Sequence, residues 1–153
     1  MTSSTDRIEK EIHLRAPLAR VWRALADAQE FGRWFGVDID GAFVEGERVR
    51  GRITNPGYEH VIWDVAIERM EPERVFSWRW HPHAIDSTLD YSAEQTTLVE
   101  FTLEPVDGGT TLRVVESGFD ALPASRRDTA FRGNERGWAG QMKKIERHVA
   151  DVS

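Results

Sequence analysis

The chain has 153 residues, 40% of them hydrophobic, and a formal net charge of −6. A domain of this length buries roughly two thirds of the surface that its unfolded form exposes, so its core needs no disulfide or structural metal. The sequence contains no cysteine, which excludes thiol and disulfide chemistry, and its acidic charge is unlike the basic face of a nucleic-acid-binding protein. We therefore expect a small molecule or a protein as partner, and no nucleic acid.

Residues 7–150 form one predicted domain, with polar tails at residues 1–6 and 151–153. Residues 7–14 alternate apolar and polar side chains, which is typical of a half-buried strand. Pro17 suits the start of a first helix, and a second short helix over residues 27–35 ends at Gly36. No segment resembles a signal peptide or a membrane span, so we expect a cytoplasmic protein without membrane insertion.

Six further strands are predicted, over residues 38–44, 47–54, 61–69, 74–80, 97–104 and 110–117. Turn signals such as Asn55-Pro56-Gly57 and Asp107-Gly108-Gly109 indicate that consecutive strands pair antiparallel. The chain then continues as a long helix with one narrow apolar stripe. The stripe comprises Phe131, Trp138, Met142, Ile145 and Val149.

This order of elements predicts an α+β helix-grip fold. In that fold a curved seven-stranded antiparallel sheet wraps around a long C-terminal helix, and two short helices follow strand 1. The space between the helix and the sheet is then the natural place for a ligand.

Four segments of the chain resemble a known superfamily. They are Trp34-Phe35-Gly36, residues 76–82 (FSWRWHP), residues 116–120 (ESGFD) and residues 134–138 (NERGW). Together they are similar to the START-like, birch-pollen-allergen-like (SRPBCC) superfamily, and within it to bacterial homologues of the C-terminal domain of the heat-shock-protein-90 ATPase activator. The resemblance covers about residues 7–150 and implies the helix-grip fold. It does not define an activity, because the superfamily includes lipid carriers, hormone receptors, cyclases and hydrolases.

Alternation along the strands predicts which side chains face the long helix. The expected cavity walls are aromatic: Trp63, Trp78, Trp80, Phe101, Phe131 and Trp138. Extending the last strand places Glu116 on the same face, and Asn134 lies about 60° from the apolar stripe of the helix. These residues either enclose a ligand cavity, with Glu116 and Asn134 as its polar contacts, or interlock into a closed core with the polar groups in solvent.

Residues 81–96 lack clear periodicity and are long for a connection, which favours a lid or binding loop. Tyr91 is the candidate for the cavity mouth. His81 and His83 could suggest a metal, but no further ligand spacing accompanies them, so we predict no metal site.

Gly133, Gly137 and Gly140 weaken the middle of the long helix, because each glycine costs about 1 kcal/mol relative to alanine. They form either a compliant segment through which a cavity opens, or a surface that packs against a second copy in a homodimer.

The sequence is compatible with three functions. The leading one is binding of a small apolar or aromatic molecule, without catalysis. The second is a cyclase or hydrolase that uses Glu116 as a general acid or base, with His81 or His83 as proton-transfer partner. The third, implied by the family resemblance, is a chaperone-interaction module. We expect no activation of the chaperone ATPase, because 153 residues do not accommodate the activator's separate N-terminal domain. No P-loop or dinucleotide fingerprint is present, so we expect no cofactor.

Overall fold

The computed structural model describes residues 6–82 and 88–150, and it confirms the predicted α+β helix-grip fold. The elements are β1 (Arg7–Leu14), α1 (Leu18–Ala26), α2 (Ala28–Phe35), β2 (Val37–Ile39), β3 (Arg48–Ile53), β4 (Ile62–Glu71), β5 (Val75–Trp80), β6 (Thr97–Val106), β7 (Gly109–Ser117) and α3 (Ala124–Ala150). A 3-10 turn, Phe119–Ala121, joins β7 to α3. Of the predicted tails, residues 1–5 and 151–153 lie outside the described residues, whereas the carbonyl of Asp6 accepts a hydrogen bond from the Gly118 N–H at 3.1 Å.

The strands form one antiparallel sheet in the order β1-β7-β6-β5-β4-β3-β2. Neighbours from β2 to β7 are consecutive in the chain, and β1 closes the other edge by pairing with β7. A β-bulge between Ile67 and Arg69 interrupts the ladder between β4 and β5. Bulges increase the local bend and twist of a strand, so this one contributes to the curvature with which the sheet surrounds α3.

The second strand is shorter than the predicted range of residues 38–44. β2 pairs with β3 only from Val37 to Ile39. The chain then leaves the sheet at Gly41, whose φ of 117° is a conformation that glycine adopts readily. Phe43 enters the core from this loop, with its ring 5.4 Å from that of Phe31. The apolar alternation in this segment therefore reflects burial and not strand pairing.

The two short helices place an aromatic pair beneath α3. The side chain of Asp27 accepts a hydrogen bond from the Glu30 N–H at 3.0 Å and so caps α2, which ends at Gly36 with a φ of 95°. The Trp34 indole N–H donates to the carbonyl of Ala24 at 2.8 Å and ties α2 to α1. The other aromatic residue, Phe35, is thereby directed towards the space between sheet and helix.

Helix α3 lies over only part of the concave face. It packs chiefly against β1, α1 and α2, and its buried side chains are Ala130, Trp138, Met142, Ile145 and Val149. Near its beginning, Arg126 pairs with Glu94 at 2.8 Å. Near its end, His148 contacts Glu30 at 2.9 Å. Because α3 is held on the β1 side, the end of the face formed by β3 and β4 is left open.

The Glu30 carboxylate joins the end of α3 to α1 through two arginines and a histidine. It pairs with Arg20 as well as with Arg23 at 3.1 Å, and it contacts His148. Burial by itself would raise the pKa of Glu30, but the hydrogen bonds to His148 and Arg20 and the charges of Arg20 and Arg23 together hold the pKa below its ordinary value. This cluster lies among the helices, away from the open end of the sheet.

Candidate ligand cavity and the Glu116 cluster

A cavity of about 850 Å³ occupies the open end, between α3, β3 and β4 and the connection after β5. Its apolar and aromatic lining consists of Phe35, Ile53, Tyr58, Val61, Ile62, Trp63, Trp80, Leu89 and Tyr91. Its polar lining consists of Arg48, Arg50, Asn55, His60, Asp64, His81, Ser92 and Asn134, and Gly133 and Gly137 complete it on α3. Volume and chemistry both fall in the range of small-molecule sites, which are mostly apolar with a few polar groups.

The cavity extends around the end of the sheet and is not confined to its concave face. Trp63 on β4 is buried, whereas its neighbours Ile62 and Asp64 point to the other face and are at least partly exposed. Tyr58, Ile62 and Leu89 are each about half exposed, at 48%, 55% and 53%. The cavity therefore has a buried inner part at Phe35 and Trp63 and an exposed outer part.

The predicted site residues fall into two groups in the structure. Trp63, Trp80, Asn134 and Tyr91 line the cavity. Among the described residues, the lining does not include Trp78, Phe101, Phe131, Trp138 or Glu116. Trp78, Phe101 and Trp138 instead form an aromatic core, in which the Trp78 and Phe101 rings are 5.5 Å apart. Phe131 lies edge-on to Phe119 at 5.3 Å.

Glu116 is fully buried directly behind the cavity wall. Four neutral donors surround its carboxyl group, and we call these five residues the Glu116 cluster. Oε2 accepts from the Thr97 hydroxyl at 2.5 Å and from the Trp80 indole N–H at 2.8 Å. Oε1 accepts from the Asn134 amide at 2.9 Å and from the Trp138 indole N–H at 2.8 Å. Two of the donors, Trp80 and Asn134, are themselves cavity lining.

Strand register and helical spacing together build the Glu116 cluster. Glu116 on β7 lies opposite Val99 on β6, and Thr97 lies two residues before Val99 on the same face and opposite Trp80 on β5. Asn134 and Trp138 are four residues apart and therefore share one face of α3. The cluster joins three strands to the middle of α3.

Burial dominates the electrostatics of Glu116. Removal from water raises the pKa of Glu116 above its ordinary value, and the hydrogen bonds from Thr97, Trp138, Trp80 and Asn134 oppose that rise in part. The donor set matches the acceptor sites of a carboxylate, yet it includes no cation. Of the four donor groups, only the Thr97 hydroxyl can also accept a hydrogen bond, since indole and amide N–H groups only donate.

The carboxyl group fixes the orientation of a cavity residue. Asn134 must present its amide nitrogen to Glu116, because its carbonyl oxygen cannot hydrogen-bond to a carboxylate. Its carbonyl oxygen and second N–H are then available to the cavity. Glu116 thus acts on the cavity through Asn134 and Trp80, and a cavity molecule reaches the carboxyl oxygens only if one of these two side chains moves.

The connection after β5 contributes to the cavity on both sides of residues 83–87, which lie outside the described residues and include His83. His81 lines the cavity, and its Nε2 lies 3.1 Å from the Glu94 carbonyl oxygen. Arg126 lies over the Tyr91 ring at 4.5 Å and so holds the connection against α3. Within residues 6–82 and 88–150, no group of three or more metal-binding side chains is close enough to hold an ion.

Sequence reasoning did not identify several of the lining residues. Arg48, Arg50 and Asp64 point to the outer face of their strands, so a rule that assigns ligand contacts to the inner face omits them. Tyr58 and His60 lie in the turn between β3 and β4, which the sequence indicates only as a tight connection. For Phe35, the dipeptide Trp34-Phe35 before Gly36 was a usable signal of a lining residue, since two bulky aromatic residues end a short helix there.

The chain matches the model of one known protein family. The family model described as "Activator of Hsp90 ATPase homolog 1-like protein" matches residues 15–150. No curated protein sequence matches the chain significantly.

Several solved structures have a similar fold. Protein MLL2253 from Mesorhizobium loti is 23% identical, with 96% of this chain and 98% of that chain covered and a TM-score of 0.75. The Aha1 dimer from Colwellia psychrerythraea is 20% identical, with coverages of 94% and 95% and a TM-score of 0.69. DynU16, a protein of the dynemicin biosynthetic locus, is 20% identical with a TM-score of 0.73, and the match covers 95% of this chain but 48% of that one. No helix within the described residues is long and apolar enough to span a membrane.

Proposed function

The chain belongs to the family of Activator of Hsp90 ATPase homolog 1-like proteins, and from that premise we propose that it binds a small apolar or aromatic molecule in its cavity. One observation carries the proposal: an 850 Å³ space whose inner wall is made of Phe35, Trp63 and Trp80. Such rings offer large apolar area and flat faces to a ligand. Asn134, oriented from behind by Glu116, supplies a polar contact at the same wall.

The proposal is tested with N-phenyl-1-naphthylamine, an uncharged dye that becomes fluorescent in apolar sites. Gly137 lines the cavity, and a Cβ placed on it meets no atom within 4 Å. Gly137→Phe therefore introduces a ring at the cavity without disturbing the core, and it removes a helix-weakening glycine. We expect the dye to bind the native protein, and its affinity to fall at least about tenfold in this variant, since a tenfold loss corresponds to about 1.4 kcal/mol.

The matched control is Gly140→Phe. Gly140 lies on the same helix and is equally open, but it does not line the cavity. Equal loss of dye affinity in both variants, with circular dichroism unchanged, contradicts binding in this cavity. Native mass spectrometry of freshly purified protein provides an independent test, since a retained compound released on denaturation gives the mass of a natural ligand.

The enzymatic alternative is less well supported by the geometry. All four hydrogen bonds to Glu116 come from the protein, and its carboxyl group does not line the cavity. A general acid or base must reach the proton that it transfers. Glu116 is better described as a residue that positions Asn134 and Trp80.

Chaperone interaction is a second candidate, which the family match favours. The arginines early in α3 give it little support as a charged docking patch. Arg126 pairs with Glu94, Arg127 donates to the carbonyl of Leu122 at 3.1 Å, and Arg132 pairs with Asp128 at 3.2 Å. A pull-down at low salt is the direct measurement, and failure to retain the chaperone contradicts this candidate.

A further inference from the structure

The outer part of the cavity wall carries more positive than negative charge. Arg48 and Arg50, two residues apart on β3, both pair with Asp64 on β4. Arg48 Nη2 lies 3.1 Å from Asp64 Oδ1, and Arg50 Nε lies 3.3 Å from Asp64 Oδ2. One carboxylate therefore forms ion pairs with two guanidinium groups at the cavity. We call Arg48 and Arg50 the arginine pair and Asp64 its shared aspartate.

The other ion pairs on the described part of the sheet have at least as many carboxylates as arginines. Arg7 and Arg113 pair with Glu9 and Glu11, Arg79 pairs with Glu68, and Arg69 contacts both Glu71 and Glu100. The whole chain has a formal net charge of −6. Among the described residues of the sheet, the ion-pair group at the cavity is thus the one in which arginines outnumber carboxylates.

Neither guanidinium is saturated by the shared aspartate. Each guanidinium has five N–H groups in a planar fork that suits the two oxygens of a carboxylate or the oxygens of a phosphate. The side chains of Arg48 and Arg50 are 63% and 74% exposed, so their remaining N–H groups face solvent at the outer end of the cavity. An anionic group there gains charge-assisted hydrogen bonds without having to displace a buried ion pair.

The same cavity also has an apolar inner part. Asp64, which the arginines share, follows Trp63 on β4, and the two side chains point to opposite faces of the sheet. Gly51, the residue after Arg50, lies directly opposite Trp63. The lining then continues to Phe35 and Trp80. Charged groups and aromatic rings therefore both line the same open cavity.

We infer that the ligand is an amphipathic anion, with an apolar or aromatic body against Trp63 and Phe35 and an acid group at Arg48 and Arg50. This inference rests on the proposed function and specifies its ligand class. The cavity is concave and of small-molecule size, so the source is a free acid in solution and not an anionic membrane surface.

The test compares two dyes that share one aromatic body. 1-Anilinonaphthalene-8-sulfonate carries a sulfonate, and N-phenyl-1-naphthylamine carries no charge. We expect the Arg48→Gln, Arg50→Gln double variant to bind the sulfonate dye about fivefold to tenfold more weakly, and the neutral dye unchanged, because only the sulfonate interacts with the arginines. Raising sodium chloride from about 0.02 M to about 0.5 M should weaken the sulfonate dye selectively in the native protein, since salt screens exposed charges.

Arg52→Gln is the matched control. Arg52 lies on the same strand and the same exposed face, but it does not line the cavity. We expect it to leave both dyes unchanged. An equal effect of Arg52→Gln overturns the inference, because the sulfonate then responds to the general charge of the face and not to the arginine pair.

The remaining outcomes separate the inference from the proposed function. If both dyes bind and the double variant affects them equally, the ligand class is wrong while cavity binding stands. If neither dye binds the native protein, the proposed function itself fails.

A competition experiment tests the acid group directly. Dodecanoate below its micellar concentration should displace the sulfonate dye more strongly than dodecanol does. Co-sedimentation of the protein with phosphatidylglycerol vesicles, lost in the double variant, would instead assign the arginines to a membrane surface and overturn the free-acid source.

Discussion

Replacing Glu116 by glutamine should destabilise the protein most at acidic pH. The protonated carboxyl group can place its proton on Oε2 and donate to Thr97, and that oxygen still accepts the Trp80 N–H. The glutamine amide nitrogen in the same position donates to Thr97 but cannot accept from Trp80. Glu116→Gln therefore retains the bonds to Asn134 and Trp138 at Oε1, and the indole N–H of the partly buried Trp80 loses its carboxyl acceptor.

The size of the effect follows from that single orphaned donor. A fully buried donor without a partner costs about 1–3 kcal/mol. Because Trp80 is only partly buried, we expect a loss at the lower end, about 1 kcal/mol, in the free energy of unfolding near pH 4.5. The loss should shrink as the pH rises. The pKa of Glu116 is higher in the folded than in the unfolded protein, so the native protein loses stability between the unfolded and the folded pKa values, whereas this site in the variant does not titrate.

Urea unfolding followed by tryptophan fluorescence, at intervals from pH 4.5 to 8.5, measures this difference. Glu104→Gln is the control, because Glu104 is an exposed carboxylate on the neighbouring strand β6, and it should not reproduce the pH profile. A stability difference that grows with pH refutes the reasoning. It would mean that the four donors outweigh burial and lower the pKa of Glu116.

Three further perturbations have defined outcomes. Trp138→Ala should cost about 3–5 kcal/mol in urea unfolding, because the ring is 3% exposed and is packed in the aromatic core; a cost below about 1 kcal/mol would contradict that packing. Glu30→Gln should reduce the loss of melting temperature on acidification, since the pKa of Glu30 lies below its ordinary value in the folded state and its stabilisation is lost as the pH falls through the folded pKa. An unchanged acid profile would show that this carboxylate is not held by its cations. Gly137→Ala and Gly140→Ala should each stabilise the protein by up to about 1 kcal/mol, because a Cβ meets no neighbour at either position; destabilisation would indicate that the helix uses glycine for a bend.

The sequence was most informative where one periodicity acted over many residues. Alternation along β7, with Leu112 and Val114 on the inner face, placed Glu116 on that face. The spacing of four between Asn134 and Trp138 placed both on one side of α3. These local rules are enough to bring the members of the Glu116 cluster together once the fold is known.

The position of the cavity depended on tertiary packing, which periodicity does not specify. Helix α3 covers the β1 side of the sheet and leaves the β3–β4 end open, so Trp78 and Phe101 are enclosed in the core while Trp63 and Trp80 meet the cavity. Arg48 and Arg50 reach the cavity from the outer face, because the space continues around the end of the sheet. No inward-facing pattern could have identified them.

The three attachments of α3 separate the part of the molecule that must stay constant from the part that can vary. Glu94 holds the beginning of the helix, Glu116 its middle and Glu30 its end. Substitutions that remove one of these attachments are expected to disturb folding. By contrast, the turn between β3 and β4 and the segment of residues 88–92 line the cavity from its periphery, where changes in size or polarity leave those attachments intact. The framework of the fold and the lining of the cavity are thus carried largely by different parts of the chain, so the shape and polarity of the cavity can change while the attachments of α3 stay the same.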